Sequence, residues 1–469
     1  MKPFADISRV YFLGIGGIGM SALARYFLVD GKMVSGYDKT PSAITSQLTD
    51  EGCKIHFEDN IQMLDKDAQL VIYTPAIPAA HSEYNWYKDN GYNLMKRSDA
   101  LSEITKDGYN ICIAGTHGKT TTSTMVSHLL RETGYGCNAF LGGISVNYST
   151  NFWSNDSNVN VVEADEYDRS FLKLNPDIAV ITSMDADHLD IYGTVEEMRS
   201  AFYQFTEKIK QEGWLLVKFG IAAKKFSVPD VSTYSLQNDS ADICAKNITI
   251  NNGGYVFDVV YNDKVVEEVN LLIGGMHNVE NAVAAIAIGM KLNIDAQKIR
   301  SAIATFKGVK RRFEYIINVK EASASQENVV FIDDYAHHPA ELSALIRSAR
   351  SLFNSRRCIL IFQPHLFSRT RDLAKDFAEA LDLADQVILL PIYPARELPI
   401  EGVDSNLLVT YMKNKNVQVM NDEDLLNYLR TDFKEETKNN FNGTMLITAG
   451  AGSIDQLINP IKEILENQS

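Results

Sequence analysis

A run of small and basic residues between a predicted strand and a predicted helix has the chemistry of a phosphate-binding loop. The run follows an apolar segment at 109–114 and consists of Gly115, Thr116, His117, Gly118, Lys119, Thr120, Thr121 and Thr122. Glycines let backbone N–H groups crowd around phosphate oxygens, the lysine adds a full charge, and a threonine hydroxyl can bind Mg²⁺. Ile113 stands where the usual G-x-x-x-x-G-K-[ST] spacing has its first glycine, so the loop is a shortened form. An ordinary glycine turn before a helix is the alternative.

A carboxylate and a histidine follow two further predicted strands. Glu163 comes directly after the apolar segment 159–162, and His188 follows the segment 178–182. Because the carboxyl ends of parallel strands meet at one edge of an open sheet, both are candidate Mg²⁺ ligands beside Thr120 of the phosphate loop. Mg²⁺ prefers oxygen ligands, so a packing or helix-capping role for His188 stays open.

A second glycine-rich motif near the N-terminus has the setting of a dinucleotide-binding fold. An apolar segment at 10–13 precedes a helical pattern from Met20, and between them lie Gly14, Ile15, Gly16, Gly17, Ile18 and Gly19. The next predicted strand ends at Asp38, where such folds place the acid that binds a ribose hydroxyl. The motif predicts a bound pyrophosphate and ribose, and by itself it would suggest NAD. Glycines that serve only helix–strand packing are the alternative.

Two other features of the first hundred residues are candidates for ligand contact. Thr74 and Ala76 lie in a proline-containing loop at a predicted strand end, which predicts a rigid, ligand-facing edge. Arg97 is either a basic contact for an anionic ligand or an ordinary surface arginine.

Polar residues also cluster at predicted strand and helix ends in the second half of the chain. His277, Asn278 and Asn281 open an apolar helix, where amides can read a base edge, bind phosphate or cap the helix. The basic loop at 310–312 predicts an anion contact, with a solvated linker as the alternative. Histidines, arginines and aspartates at 333–339 and 363–371 are typical of binding sites at strand ends.

These motifs require strands and helices that alternate along the chain, which predicts an α/β protein, and its length predicts about three domains. The first, 1–106, is Rossmann-like. The second, 107–313, is a P-loop-type phosphate-binding domain with a small antiparallel flange at 247–272. The third, 314–469, is a doubly wound Rossmann-like domain, with helices predicted at 340–353, 372–383, 422–429 and 453–466.

Composition excludes several classes of function. The chain has 469 residues, 45% of them hydrophobic, and a formal net charge of -15. That charge argues against nucleic acid or an anionic membrane as the main partner, so anionic substrates would need local basic pockets. Five scattered cysteines predict a reducing compartment without a disulfide framework or a zinc site. With neither a signal peptide nor a membrane span predicted, the expected location is cytoplasmic.

The ordered set of motifs resembles the Mur ligase family over essentially the whole chain. The resemblance rests on the two glycine loops, Glu163 to Glu166, Asp187-His188, His277-Asn278 with Asn281, Arg311 to Phe313, Asp333 to Pro339, Phe362 to His365, Ser368 to Arg371 and Tyr393 to Arg396. Within the family, the chain is most similar to the branch that adds L-alanine. The resemblance implies an ATP- and Mg²⁺-dependent ligase of peptidoglycan precursor synthesis, whose substrates are UDP-N-acetylmuramate, ATP and L-alanine.

The resemblance also implies a role for each candidate residue. Lys119, Arg312, Asp334 and His337 would be catalytic. ATP would contact residues 115–121, His277, Asn278, Asn281, Arg312 and Asp334, with Mg²⁺ on Thr120, Glu163 and His188. The UDP-sugar would contact Gly14, Gly16, Gly17, Gly19, Met20, Asp38, Thr74, Ala76, Arg97 and His117. The amino acid would contact Tyr335, His337, Arg369 and Arg371.

Two positions depart from the pattern of the wider family. Related ligases carry a carbamylated lysine where this chain has Tyr203, and the alanine-adding branch also lacks that lysine. Some members have an arginine after the Gln-Pro-His triplet, where this chain has Leu366. Arg369 or Arg371 must then supply the cation for the carboxylate of the amino acid.

Three other functions remain open at this point. A murein-peptide recycling ligase would use the same UDP-sugar and ATP with a peptide in place of alanine. An NAD-linked dehydrogenase with an appended ATPase, or a nucleotide-binding scaffold without catalysis, would belong to a different class. The expected oligomeric state is a monomer or a weak homodimer.

Overall fold

The computed structural model describes residues 4–185, 189–221, 226–318, 329–395, 397–438, 440 and 442–467. The chain forms two compact units. The first comprises Met1–Lys246, Asp258–Glu267 and Glu280–Ile303, and the second comprises Asn247–Phe257, Glu268–Val279 and Ala304–Ser469. No helix within the described ranges is both long and apolar enough to cross a membrane.

The first sheet is parallel throughout, with the strand order β3-β2-β1-β4-β5. Its strands are β1 (Arg9–Leu13), β2 (Met33–Tyr37), β3 (Lys54–His56), β4 (Leu70–Tyr73) and β5 (Leu94–Lys96). Its helices are α1 (Ile18–Val29), α2 (Ala43–Asp50), α3 (Ser82–Asp89) and α4 (Arg97–Thr105). Tyr11 and Phe12 are both buried and belong to different apolar clusters, one on each face of the sheet. Burial on both faces explains why β1 is a continuous apolar run.

The second sheet has the order β15-β14-β13-β12-β11-β10-β6-β9-β7-β8. Its strands are β6 (Tyr109–Ala114), β7 (Asn138–Phe140), β8 (Phe152–Trp153), β9 (Val159–Glu163), β10 (Ile178–Ile181), β11 (Trp214–Lys218), β12 (Asp230–Ser235), β13 (Ile243–Asn251), β14 (Gly254–Tyr261) and β15 (Lys264–Leu271). Its helices are α5 (Lys119–Glu132), α6 (Leu189–Tyr192), α7 (Val195–Thr206), α8 (Met276–Lys291) and α9 (Ala296–Ala304). Since β6 is parallel to its neighbours β9 and β10, the residues that follow these three strands meet at one edge.

Strands β13, β14 and β15 form the predicted flange. Two-residue turns link them in sequence, and connections that short join antiparallel strands. At the first turn Asn252 and Gly253 have φ values of 48° and 77°, as a type I′ hairpin turn requires.

The third sheet has the order β16-β17-β21-β18-β19-β20 and is parallel except for the β16–β17 pair. Its strands are β16 (Glu314–Ile317), β17 (Val329–Asp334), β18 (Arg357–Phe362), β19 (Gln386–Leu389), β20 (Val417–Val419) and β21 (Thr444–Ala449). Its helices are α10 (Pro339–Leu352), α11 (Phe367–Asp372), α12 (Ala374–Leu381), α13 (Asn406–Tyr411), α14 (Asp422–Arg430), α15 (Asp432–Lys438) and α16 (Ile458–Glu466). The predicted α/β fold class, with three sheets that follow one another along the chain, is confirmed.

Two predicted helices differ from the structure. The segment predicted as one helix at 372–383 is divided between α11 and α12, because Leu373 leaves helical geometry with φ and ψ of -110° and 18°. The segment predicted at 453–466 begins as a 3₁₀ turn, Ser453–Leu457, before α16. Pro460 has no N–H to donate to a carbonyl one turn earlier, so a continuous α-helix from residue 453 would lack that bond.

Asp333, in β17, gives a stability prediction that depends on pH. Its carboxylate is buried and accepts hydrogen bonds from Thr448 Oγ1 at 2.7 Å and Arg311 Nε at 3.2 Å. Burial raises the pKa of Asp333 from 3.8 to about 6, although the charge of Arg311 opposes the shift. A carboxyl with a raised pKa stabilises the fold below its unfolded pKa, and this stability is lost as pH rises through the folded pKa.

We therefore expect wild type to lose stability relative to Asp333→Asn between about pH 4 and about pH 7, by up to about 3 kcal/mol. Denaturant unfolding of both proteins at a series of pH values measures this difference. A difference that is constant with pH, or that changes in favour of wild type as pH rises, would contradict the buried, weakly acidic carboxyl.

Candidate functional site

The predicted phosphate-binding loop connects β6 to α5, and both of its glycines hold backbone conformations that side chains rarely adopt. Gly115 has φ of 132° and Gly118 has φ of 83°. A Cβ on Gly115 would lie 2.2 Å from Thr182 Oγ1, and one on Gly118 would lie 2.9 Å from Asn281 Oδ1. Both positions therefore require glycine for reasons of conformation and space.

Thr182 and Ser183, which follow β10, hold the loop through hydrogen bonds. His117 N donates to Ser183 Oγ at 2.7 Å, and the Thr116 and Ser183 hydroxyl oxygens are also 2.7 Å apart. The single O–H of Thr182 is shared between two acceptors, the backbone oxygens of Ala114 and His117. These bonds hold the loop backbone in one shape and leave the His117 ring largely exposed, with Nε2 3.9 Å from Asp185 Oδ2.

Lys119, the first residue of α5, is held by two acceptors. Its Nζ donates to Gly115 O at 2.7 Å and to Glu166 Oε1 at 2.7 Å. The Glu166 side chain is 0% exposed and that of Lys119 is 14% exposed, so the ion pair is shielded from water. Burial raises the pKa of Glu166, while the neighbouring Lys119 charge opposes the shift.

Glu163, the last residue of β9, binds Thr120, the loop residue that follows Lys119. Its Oε1 accepts from Thr120 Oγ1 at 2.9 Å, and its Oε2 accepts from Gly142 N at 2.9 Å. A Cβ on Gly142 would lie 2.3 Å from Glu163 Oε1, so that glycine makes room for the carboxylate. Burial raises the pKa of Glu163, and Lys119 is the main opposing influence.

Thr120 and Glu163 offer adjacent oxygen ligands, which fits Mg²⁺ completed by water and phosphate oxygens. His188, the third predicted metal ligand, lies outside the described residues. Among the residues that the structure does describe, no group of three or more His, Cys, Asp or Glu side chains is arranged for a metal.

The N-terminal glycine loop, between β1 and α1, is also closely packed. Gly16 N donates to Asp38 Oδ2 at 2.7 Å, so the acid predicted to bind ribose also contacts the loop. A Cβ on Gly14 would lie 2.7 Å from Thr74 Cγ2, and one on Gly19 would lie 2.6 Å from Arg97 Nη1. Gly17 is the N-cap of α1, the Met20 side chain is in the core, and Ala76 is exposed.

A cavity of about 140 Å³ lies within the first unit, between the N-terminal glycine loop and Glu163. Its polar lining is formed by Gly19, Arg97, Gly142, Glu163 and Asp165, and its other wall is apolar. Arg97 Nη2 lies 3.6 Å from Asp165 Oδ2 at this cavity. Residues predicted for the UDP-sugar and for Mg²⁺ therefore line the same cavity.

The second unit contains a separate cluster around Asp334, at the end of β17. Its carboxylate accepts from Phe313 N and Ala336 N, each at 2.7 Å, and burial raises its pKa to about 6. These bonds join the basic loop to the turn after β17. The guanidinium groups of Arg311 and Arg312 lie 5.2 Å and 5.9 Å from the centre of the Tyr335 ring.

Three of the residues predicted for the amino acid, Tyr335, His337 and Arg369, lie near His365. The His337 ring is 5.1 Å from that of Tyr335 and 6.0 Å from that of His365. Burial lowers the pKa of His337 against the opposing Glu341 charge and the hydrogen bond to the Tyr335 backbone oxygen, and this direction favours a neutral imidazole. Buried Arg369 Nη1 has no hydrogen-bond partner among the described residues. Arg371 is exposed and pairs with Asp372 at 2.7 Å.

The amides at the start of α8 are divided between the units. Asn281, in the first unit, packs beside Gly118 of the phosphate loop. Asn278, in the second unit, is buried and donates to Gly274 O at 2.7 Å. His277 also belongs to the second unit, where its ring lies beside Gly275.

Sequence reasoning does not assign a role to several residues of the phosphate site. Thr182 and Ser183 follow β10 directly. The expectation that acids and histidines after parallel strands lie in the site would identify them if it also included hydroxyl side chains. Glu166 belongs to a recognised motif, but the motif alone gives it no role. Gly142 has no signal in the sequence, because its contact with Glu163 depends on the pairing of β7 with β9.

Three family models match consecutive parts of the chain. They are the Mur ligase family catalytic domain at residues 9–109, the Mur ligase middle domain at 113–289, and the Mur ligase glutamate ligase domain at 311–452.

Similar proteins cover the chain from end to end. A UDP-N-acetylmuramate–L-alanine ligase of Porphyromonas gingivalis is 48% identical over 98% of this chain and 99% of its own. The protein of that name from Flavobacterium psychrophilum is 45% identical over 99% of each chain. A solved UDP-N-acetylmuramate–alanine ligase structure from Thermotoga maritima has a TM-score of 0.81 and 26% identity, covering 98% of this chain and 100% of that one. With its fold, its phosphate loop and its whole length matched, the chain belongs to the Mur ligase family.

Proposed function

We propose that the chain is an ATP-dependent ligase that joins L-alanine to the lactyl carboxylate of UDP-N-acetylmuramate, in peptidoglycan precursor synthesis. The observation that carries the proposal is a cavity between the N-terminal glycine loop and Glu163, whose carboxylate binds Thr120 of the second glycine loop, in a chain similar throughout to alanine ligases. Amide formation needs such an arrangement, because a free carboxylate is a poor electrophile and must first be phosphorylated.

In the proposed reaction, ATP binds at the loop formed by residues 115–121. Lys119 carries the positive charge for the transferring phosphate, and the N-terminus of α5 adds its dipole. Thr120 and Glu163, with His188, would hold Mg²⁺, which when bound offsets phosphate charge. Asn281 lies against the same loop and is placed to contact the nucleotide.

The UDP-sugar binds at the N-terminal glycine loop, with Asp38, Thr74 and Arg97 around it. The pyrophosphate would lie at the N-terminus of α1, where backbone N–H groups face an anion. The lactyl carboxylate would then enter the cavity toward Glu163 and the phosphate loop. This carboxylate attacks the γ-phosphorus of ATP, which releases ADP and leaves an acyl phosphate.

The second unit supplies the amino acid. Arg369 has an unpaired buried nitrogen suited to the carboxylate of alanine. His337, held neutral, can accept a proton from the amine, which attacks the acyl carbonyl as phosphate leaves. Asp334 shapes the turn that carries Arg312 and Tyr335, and Arg312 would add a charge at the phosphates.

The proposal extends to the domain roles and the setting. Residues 1–106 bind the UDP-sugar, 107–313 bind ATP, and 314–469 bind the amino acid and exclude water from the acyl phosphate. The partners are small molecules, and the location is cytoplasmic. All five cysteines are buried and free, in keeping with a reducing compartment.

Replacing the loop lysine tests the ATP assignment. We expect Lys119→Ala to lower ATP-dependent ligation on the order of 1,000-fold or more, because the charge that stabilises phosphoryl transfer is lost. Binding of UDP-N-acetylmuramate, measured by calorimetry, should survive. Lys106→Ala, at an exposed ion pair, is the matched control. Near wild-type product formation by Lys119→Ala would show that the loop has another role.

Comparing two arginines identifies the cation that serves in place of the residue absent at Leu366. We expect Arg369→Ala to raise the KM for L-alanine about 30-fold, as for the loss of a charged hydrogen bond of about 2 kcal/mol. Arg371→Ala should change it much less, because Arg371 is exposed and paired with Asp372. Steady-state phosphate release measures both, and the reverse ranking would place the carboxylate at Arg371.

A further inference from the structure

The two contacts of Lys119 leave one direction for a ligand. An ammonium group has three N–H donors. One is used by Gly115 O at 2.7 Å, within the loop, and a second by Glu166 Oε1 at 2.7 Å, from the segment after β9. With two donors directed to fixed acceptors, the third has a defined orientation before any nucleotide arrives.

Glu166 is fully buried. Its side chain is 0% exposed, its Oε2 has no hydrogen-bond partner among the described residues, and its backbone oxygen accepts from Tyr192 OH at 2.5 Å. Lys119 is its one cationic partner among the described residues. A buried carboxylate is costly unless it is paired, so the pair restricts both side chains to one arrangement.

The neighbouring acids of the same segment, Asp165 and Asp168, have other partners. Asp165 pairs with Arg97 at 3.6 Å, and the exposed Asp168 accepts from Ser170 N at 3.0 Å. The contact with Lys119 is therefore specific to Glu166 and does not reflect a general negative potential of the segment.

We infer that Glu166 is a positioning residue for nucleotide binding, which acts by orienting Lys119 so that its remaining N–H faces the phosphates. The inference rests on the proposed function, because it takes Lys119 as the phosphate ligand. A preorganised lysine loses less freedom when the nucleotide binds, so removing the carboxylate should weaken binding through its effect on Lys119.

The test is a double-mutant cycle on full-length protein. Calorimetry would give the Kd of an ATP analogue with a non-hydrolysable β–γ bridge, with Mg²⁺, for wild type, Lys119→Ala, Glu166→Gln and the double variant. We expect Glu166→Gln to raise Kd about 10-fold when Lys119 is present, and by less than about twofold when it is absent. Asp168→Asn, which removes the same charge and keeps the acceptor for Ser170 N, should leave Kd unchanged.

Each of the other possible results would contradict either the inferred role of Glu166 or the proposed role of the loop. An equal rise in both backgrounds would mean that Glu166 supports the fold and not Lys119, and tighter binding by Glu166→Gln would make it a competitor of the phosphates. If Lys119→Ala itself binds normally, the proposed role of the loop fails instead. Thermal unfolding checks each variant, and Glu166→Asp, which keeps the charge but shortens its reach, replaces any Gln variant that does not fold.

Discussion

The proposed phosphate site depends on two carboxylates from one strand end that hold consecutive residues of one loop. Glu166 binds Lys119 and Glu163 binds Thr120. Both acids are in place because β9 lies beside β6 in parallel register, with Glu163 opposite Ile113. The strand pairing therefore fixes where the cation and the hydroxyl of the loop can be. Without that register, the loop would be a glycine turn with no defined chemistry.

Close packing makes the same site intolerant of additional atoms. At Gly115, Gly118 and Gly142, a side chain's Cβ would lie less than 3.0 Å from a neighbouring polar atom. The Ser183 hydroxyl forms hydrogen bonds with Thr116 and His117 of the loop. An arrangement in which backbone and carboxylates are already fixed requires little rearrangement when a nucleotide binds, which is the usual condition for electrostatic catalysis of phosphoryl transfer.

Much of the architecture is predictable because local patterns determine it. Apolar runs locate strands such as β1 and β6, and glycines before helices locate both loops. The break at Leu373 is not predictable, since the amphipathic pattern continues across it. Nor is the Lys119–Glu166 pair, which joins residues 47 positions apart through a strand pairing. The residues are recognisable from the sequence, but their partners depend on tertiary structure.

In the proposed reaction, ATP activates the carboxylate of the sugar bound at the N-terminal glycine loop. The most direct measurement uses UDP-N-acetylmuramate labelled with ¹⁸O at both lactyl carboxylate oxygens, with ATP and L-alanine. Attack of that carboxylate on the γ-phosphorus transfers one of its oxygens, so the released phosphate should carry one ¹⁸O atom per product formed. Unlabelled phosphate accompanying amide formation would contradict the account, because it would show that the carboxylate was not phosphorylated.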